Sequence, residues 1–183
     1  MAVRPVRLYG DPVLRQKVAE VAEFDEALRL LAADMRETMA AYHGVGLAAN
    51  QLGVLQRVLV VDVPLEEERR ARYTLVNPVV VRRSGSGSAE EGCLSIPGIY
   101  EDVSRSVRIK VKAVDEFGRP LELEPEGYLA RAIQHEIDHL DGVLFIDRLS
   151  PLKRQFLRQA LSALERGELP EGYRPPVLPG GPG

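Results

Sequence analysis

The sequence predicts an α+β fold, and three features carry that prediction. "VRIKVKAV", from Val107, alternates strictly, with Val107, Ile109, Val111 and Ala113 on one face, as a half-buried strand does. "DEFG" then turns the chain and "RPLELE" returns it, so the strand is one arm of a hairpin. The strand-like stretches are grouped between helical ones instead of alternating with them, which favours α+β over a parallel α/β layout.

The first helix is capped by Asp25 and runs to about Tyr42. Leu28, Leu31, Ala32, Met35 and Met39 recur at three- and four-residue steps, and Gly44 stops it. The small, glycine-rich "GVGLAANQLG" follows. "RVLVVDV" and "YTLVNPVVV" read as buried strands, and "RRSGSGSAEEG" as a flexible connection. A second helix is expected from about Pro125 to Leu140 and a third from about Pro151 to Arg166. Residues 1–168 are read as a single domain, and residues 169–183, ending "PPVLPGGPG", as a mobile tail that cannot pack as regular structure.

The chain has 183 residues, enough for one domain with a real core. Its formal net charge of −3 gives no support for direct nucleic-acid recognition. One cysteine excludes an intrachain disulfide. No apolar run approaches membrane-spanning length and "MAVRPVRLYGDP" lacks an apolar signal core, so the expectation is a cytoplasmic protein with no membrane partner.

"IQHEIDHLDG", from Ile133, raises the question of chemistry. At about 100° per residue, Leu129, Ile133, Ile137 and Leu140 share one helix face while Tyr128, Ala132, His135 and His139 share another. Two imidazoles one turn apart can converge on a cation, with Glu136 beside them as a base that need not be a ligand. The same pattern also occurs in helices that bind nothing. Cys93, in "EEGCLSIPG", is the one residue able to add a thiolate. Three such ligands leave one coordination position open, as catalysis requires, although a lone cysteine is more often a small buried hydrophobe. His43, at the end of the first helix, suits a capping or surface role. Glu91 and Arg105 can pair, or both can be solvated. Asp138 can orient the helix or a ligand, or be exposed.

Three segments together resemble the signatures of bacterial peptide deformylases: "GVGLAANQ" (Gly44 to Gln51), "EGCLS" (Glu91 to Ser95) and "QHEIDHLDG" (Gln134 to Gly142). Their order and spacing fit as well, and the likeness runs from "YGDPVLR" to the helix after Leu149. The resemblance implies antiparallel sheets packed around a central helix carrying the His-Glu-x-x-His motif, with a C-terminal helix. It implies removal of the N-formyl group from the initiator methionine of nascent polypeptides, with release of formate. By position it makes Cys93, His135 and His139 the ligands of one divalent metal ion, with Fe(II) as the cellular metal and Zn(II), Ni(II) or Co(II) as alternatives. Glu136 becomes the general base and acid. Gln51 and the Leu94 N–H become donors to the developing oxyanion. Val45, Gly46 and Gly92 would pair with an extended substrate, and Tyr128 and Ala132, with Val45 and His135, would line the methionine pocket. A co-translational substrate also implies a transient ribosome contact, for which the basic edge of the last helix (Lys153, Arg154, Arg158) is the candidate.

Two other readings of the same residues differ in what they require. A metallopeptidase would need a further carboxylate or histidine ligand downstream, where no histidine follows His139. A structural zinc domain would need a fourth protein ligand, for which His43 is the spare histidine.

Overall fold

Strand β2 (Val58–Pro64) shows how the layers are stacked. Successive side chains of a strand point to opposite faces. Val58 and Val60 pack into one apolar cluster with Leu28, Leu31, Met35 and Met39 of helix α1 (Glu26–Ala41). Leu59, Val61 and Val63 pack into another with Ala130, Ile133, Ile137 and Leu140 of helix α2 (Gly127–Leu140). The sheet is therefore covered on both faces, which is why "RVLVVDV" is apolar throughout instead of alternating.

The computed structural model describes residues 2–178; residues 179–183 of the tail lie outside the described residues. Strands β1 (Gly46–Ala48), β2, β3 (Arg70–Ser84), β6 (Arg108–Val114) and β7 (Pro120–Leu123) form one antiparallel sheet in the order β1-β2-β3-β6-β7. Strands β4 (Gly87–Cys93) and β5 (Ile96–Arg105) form a separate antiparallel pair. A third apolar cluster joins this pair to Leu14, the turn around Phe145 and Ile146, and Leu164 of helix α3 (Pro151–Glu165). The α+β class, the central motif helix, the C-terminal helix and the β6–β7 hairpin are all present as predicted. The caps are local: the Asp25 carboxylate accepts the Leu28 N–H at 3.0 Å, and the Ser150 hydroxyl accepts the Lys153 N–H at 3.3 Å.

Three expectations are corrected. "RRSGSGSAEEG" is mostly strand: β3 runs through Ser84, β4 begins at Gly87, and only Gly85 and Ser86 connect them. Its small polar residues mark an exposed ladder and not a loop. "YTLVNPVVV" is buried only in its first half, because Asn77 (φ +52) and Pro78 break the register with β6 and leave Val79 and Val81 about half exposed. The Asn77 amide instead bonds both backbone groups of Val21, at 2.8 and 2.9 Å. Helix α2 starts at Gly127, not near Pro125. The Pro125 carbonyl accepts the Ile109 N–H and Glu126 bridges to Arg108, which keeps those residues extended.

Candidate metal centre

The candidate ligands reach one place from two elements. His135 and His139 stand one turn apart on α2, with ring centroids 5.0 Å apart. Cys93 ends β4, where the chain turns through Leu94 and Ser95 into β5. Its Sγ lies 3.2 Å from His139 Nε2. Ligand atoms of Cys93, His135 and His139 all lie within 4.8 Å of one another, and His43 is not among them.

The donor set fits a metal ion. Ligands about 2.0–2.3 Å from a tetrahedral ion sit roughly 3.3–3.8 Å apart; Cys93 Sγ and His139 Nε2 stand 3.2 Å apart, and all three ligand atoms lie within 4.8 Å of one another. One thiolate and two imidazoles suit a borderline-soft divalent cation. The surroundings also favour positive charge at this point. Burial lowers the pKa of His135, but its contacts with Cys93 and Glu91 and the charge of Glu136 outweigh that and raise it well above the usual histidine value. Burial, with the charges of His135 and Arg105, holds His139 neutral, the form a ligand needs.

Carboxylates and arginines behind the ligands fix them. Glu91 Oε1 lies 2.9 Å from His135 Nδ1, which leaves Nε2 to face Cys93. Arg105 clamps Glu91 with two bonds of 2.6 and 2.9 Å, and Arg131 adds a third at 2.7 Å. Burial alone would raise the Glu91 pKa, but the bonds from His135 and Arg105 and the arginine charge hold it down at about 2. Arg105 also reaches Asp138 at 2.8 Å, and Arg148 holds Asp138 at 2.7 and 3.1 Å. Both open questions of the sequence are thus answered: Glu91–Arg105 is a buried pair, and Asp138 anchors α2 through two arginines.

Glu136 packs its carboxyl group against Gly46 and borders the same cleft as Cys93 and His135. A methyl group at position 46 would collide with its carboxyl group, so the edge strand approaches the acid only because residue 46 is glycine. Glu136 Oε2 is buried without a hydrogen-bond partner among the described residues. Burial pushes its pKa up to about 7, against the opposing charges of His135 and Arg105. An acid so placed can both take and return a proton near neutral pH.

Gln51 is fully buried, and its amide is oriented at both ends. Oε1 accepts the Ala48 N–H at 2.8 Å, which turns Nε2 toward Ser95 Oγ at 3.0 Å and Cys93 Sγ at 3.8 Å. These groups open onto a cleft of about 670 Å³. Val45, Gly46, Gln51, Gly92, Cys93, Leu94, Tyr128, Ala132, His135 and Glu136 all border it, and His139 lies beneath, against Cys93. β1 is an edge strand of its sheet, and β4 flanks the opposite wall.

Besides Arg148, the sequence reading missed four contributors. Ser95 holds the Gln51 amide, Arg131 holds Glu91, and the Asn50 amide donates to the His139 carbonyl at 2.5 Å. Phe145 stacks on His135 with centroids 6.1 Å apart. Arg131 carried the one usable signal, a charge one turn before His135 on the same side of the helix. His43 takes a left-handed conformation (φ +56) after α1 and stays exposed at the rim, in keeping with a capping or surface role.

Comparison with known proteins gives a consistent result. The polypeptide deformylase family model matches residues 3–155. A peptide deformylase of Alkalilimnicola ehrlichii is 52% identical over 166 residues, covering 91% of this chain and 93% of that one. The crystal structure of the Thermus thermophilus peptide deformylase superposes with a TM-score of 0.84 at 49% identity, covering 90% of this chain and 99% of that one. The peptide deformylase of Ehrlichia chaffeensis, solved in complex with actinonin, superposes with a TM-score of 0.85 at 39% identity, covering 92% of this chain and 99% of that one.

Proposed function

The chain belongs to the polypeptide deformylase family, and we propose from that premise which of its residues perform the deformylation. The reaction is hydrolysis of a formamide: N-formylmethionyl peptide and water give formate and a free amino terminus. Cys93, His135 and His139 would hold one divalent ion, Fe(II) in the cell, with Zn(II), Ni(II) or Co(II) able to replace it. Such an ion supplies Lewis-acid polarisation of the carbonyl and a lowered pKa for water.

The remaining steps fall to this chain's own groups. The Gln51 Nε2–H and the Leu94 N–H donate to the formyl oxygen as negative charge develops on it. Glu136 takes a proton from water as the water oxygen bonds to the formyl carbon. It then delivers that proton to the amide nitrogen as the C–N bond breaks, so formate and amine leave and the acid returns to its starting state. Val45 and Gly46 on edge strand β1 and Gly92 on β4 would pair with the substrate backbone as an added strand. Tyr128 and Ala132, with Val45 and His135, would receive the methionine side chain. In domain terms, residues 1–168 act as one catalytic unit.

The observation that carries this assignment is the buried, unpartnered Glu136 carboxylate beside a three-ligand cluster that it does not join. The test is formate release from N-formyl-Met-Ala, with metal stoichiometry measured alongside. Wild type should release formate. Glu136→Ala should keep about one metal per chain yet lose about 10²–10⁴-fold in rate. His135→Ala should lose metal and activity together. A Glu136→Ala variant with wild-type turnover would refute the general-base role, and a metal-free one would make Glu136 a ligand.

The setting is cytoplasmic, where formylated chains are made; among the described residues no helix is long and apolar enough to cross a membrane. Ribosome contact through α3 is supported by Arg154 and Arg158, exposed one turn apart on one side of the helix, while Leu152 (63% exposed) and Phe156 (78%) stand exposed on another side. Lys153 is less available, because its Nζ pairs with Glu101 at 3.0 Å. Arg154→Glu/Arg158→Glu should reduce co-sedimentation with ribosomes; equal pelleting would leave α3 a packing role only.

A further inference from the structure

The chain after α3 folds back onto the mouth of the cleft. The Tyr173 N–H donates to the Pro170 carbonyl at 3.0 Å and closes a turn. Pro170 lies on Gly98 of β5, which has φ +79 and whose missing side chain makes room: a Cβ there would sit 2.8 Å from the proline ring. Tyr173, Arg174 and Pro176 then line the same cleft as Cys93, His135 and Glu136, on the side bordered by Tyr42, His43 and Pro97. The segment has no helix or strand, and it lies beyond residues 3–155, where the family model matches. It contributes to the cleft from outside that matched span.

Its position fixes what it can meet. With the formyl group among Cys93, Gln51 and Glu136, a peptide longer than formylmethionine has to leave along the strip between β1 and β4 and out past the rim. Tyr173 offers a half-buried aromatic surface there. Arg174 is exposed and has no ion-pair partner among the described residues. A guanidinium fork matches a carboxylate in shape as well as charge. We propose that residues 170–176 form a subsite for the peptide beyond formylmethionine, in which Arg174 favours acidic side chains.

This inference rests on the deformylase reading, and the experiment separates the two. kcat/KM for formate release is measured on formyl-Met-Ala, formyl-Met-Ala-Glu-Ala and formyl-Met-Ala-Lys-Ala, with wild type, Arg174→Glu and a chain ending at Leu169. Wild type should prefer the glutamate peptide. Arg174→Glu should shift the Glu-to-Lys ratio about tenfold toward lysine, the scale of reversing one partly exposed charge contact. The shift should shrink as salt rises. The shortened chain should lose the advantage of the glutamate tetrapeptide over the dipeptide. An unchanged Glu-to-Lys ratio in Arg174→Glu would overturn the proposal. So would a shortened chain that gains rate equally on all three peptides, since the segment would then be a cover and not a subsite. Wild type that releases no formate from formyl-Met-Ala would instead overturn the deformylase reading itself.

Discussion

Helices α2 and α3 are similar in length and both amphipathic, yet the fold uses them in opposite ways. From Ala130 to Leu140 every residue of α2 is buried, including Arg131, Gln134, His135, Glu136, Asp138 and His139. Of α3 only Leu164 is buried. Burial makes most polar groups on α2 depend on a named partner, because an unpaired charge in the interior costs several kcal/mol, and Glu136 Oε2 is the exception the site uses. On α3 the charged side chains keep their water, and their pairs contribute little. α2 is therefore a scaffold whose polar residues are constrained together, while α3 is a lid on the third apolar cluster whose outer face is free to vary or to bind.

Arg105→Met should sharpen that contrast most. It removes the cation shared by Glu91 and Asp138 inside the protein, and the structure should lose about 3 kcal/mol of unfolding free energy, read by denaturant titration. Metal affinity should fall as well, because Glu91 would hold the His135 ring less firmly. A loss near zero would mean that Arg131 and Arg148 carry both carboxylates unaided, and the contrast with α3 would weaken.

At the other end of the scale, Phe156→Ala removes an apolar side chain 78% exposed on α3, and stability should change by no more than about 0.5 kcal/mol. The check is the same titration beside Arg105→Met. A loss of 2 kcal/mol or more, the scale of a core truncation, would show that the α3 outer face is covered in solution.

How much of this was legible beforehand follows from how local each signal is. The α1 cap at Asp25, the two-residue alternation of β6 and the spacing of His135 and His139 are set by neighbours a few positions away and appear as read, except that Val107 lies just before β6 and is exposed. "RRSGSGSAEEG" misled because glycine and serine mark both loops and exposed strands, and only pairing with β5 decides between them. The split burial of β3 was hidden for the same reason: the break at Asn77 is stabilised by Val21, 56 residues away.

By itself the sequence determined the three helices, the β6–β7 hairpin, the face of α2 on which the two histidines stand and, through three matching segments, the chemistry they are suited to. Tertiary structure alone decided which charges meet in the interior: that Glu91 serves His135, that Arg105 and Arg131 hold Glu91, that Gly46 admits the Glu136 carboxyl, and that Tyr173 and Arg174 return to the cleft. Helix and strand periodicity follow from backbone geometry shared by every chain. Contacts between distant residues depend instead on how whole faces pack, and their energy becomes large only after that packing has excluded water.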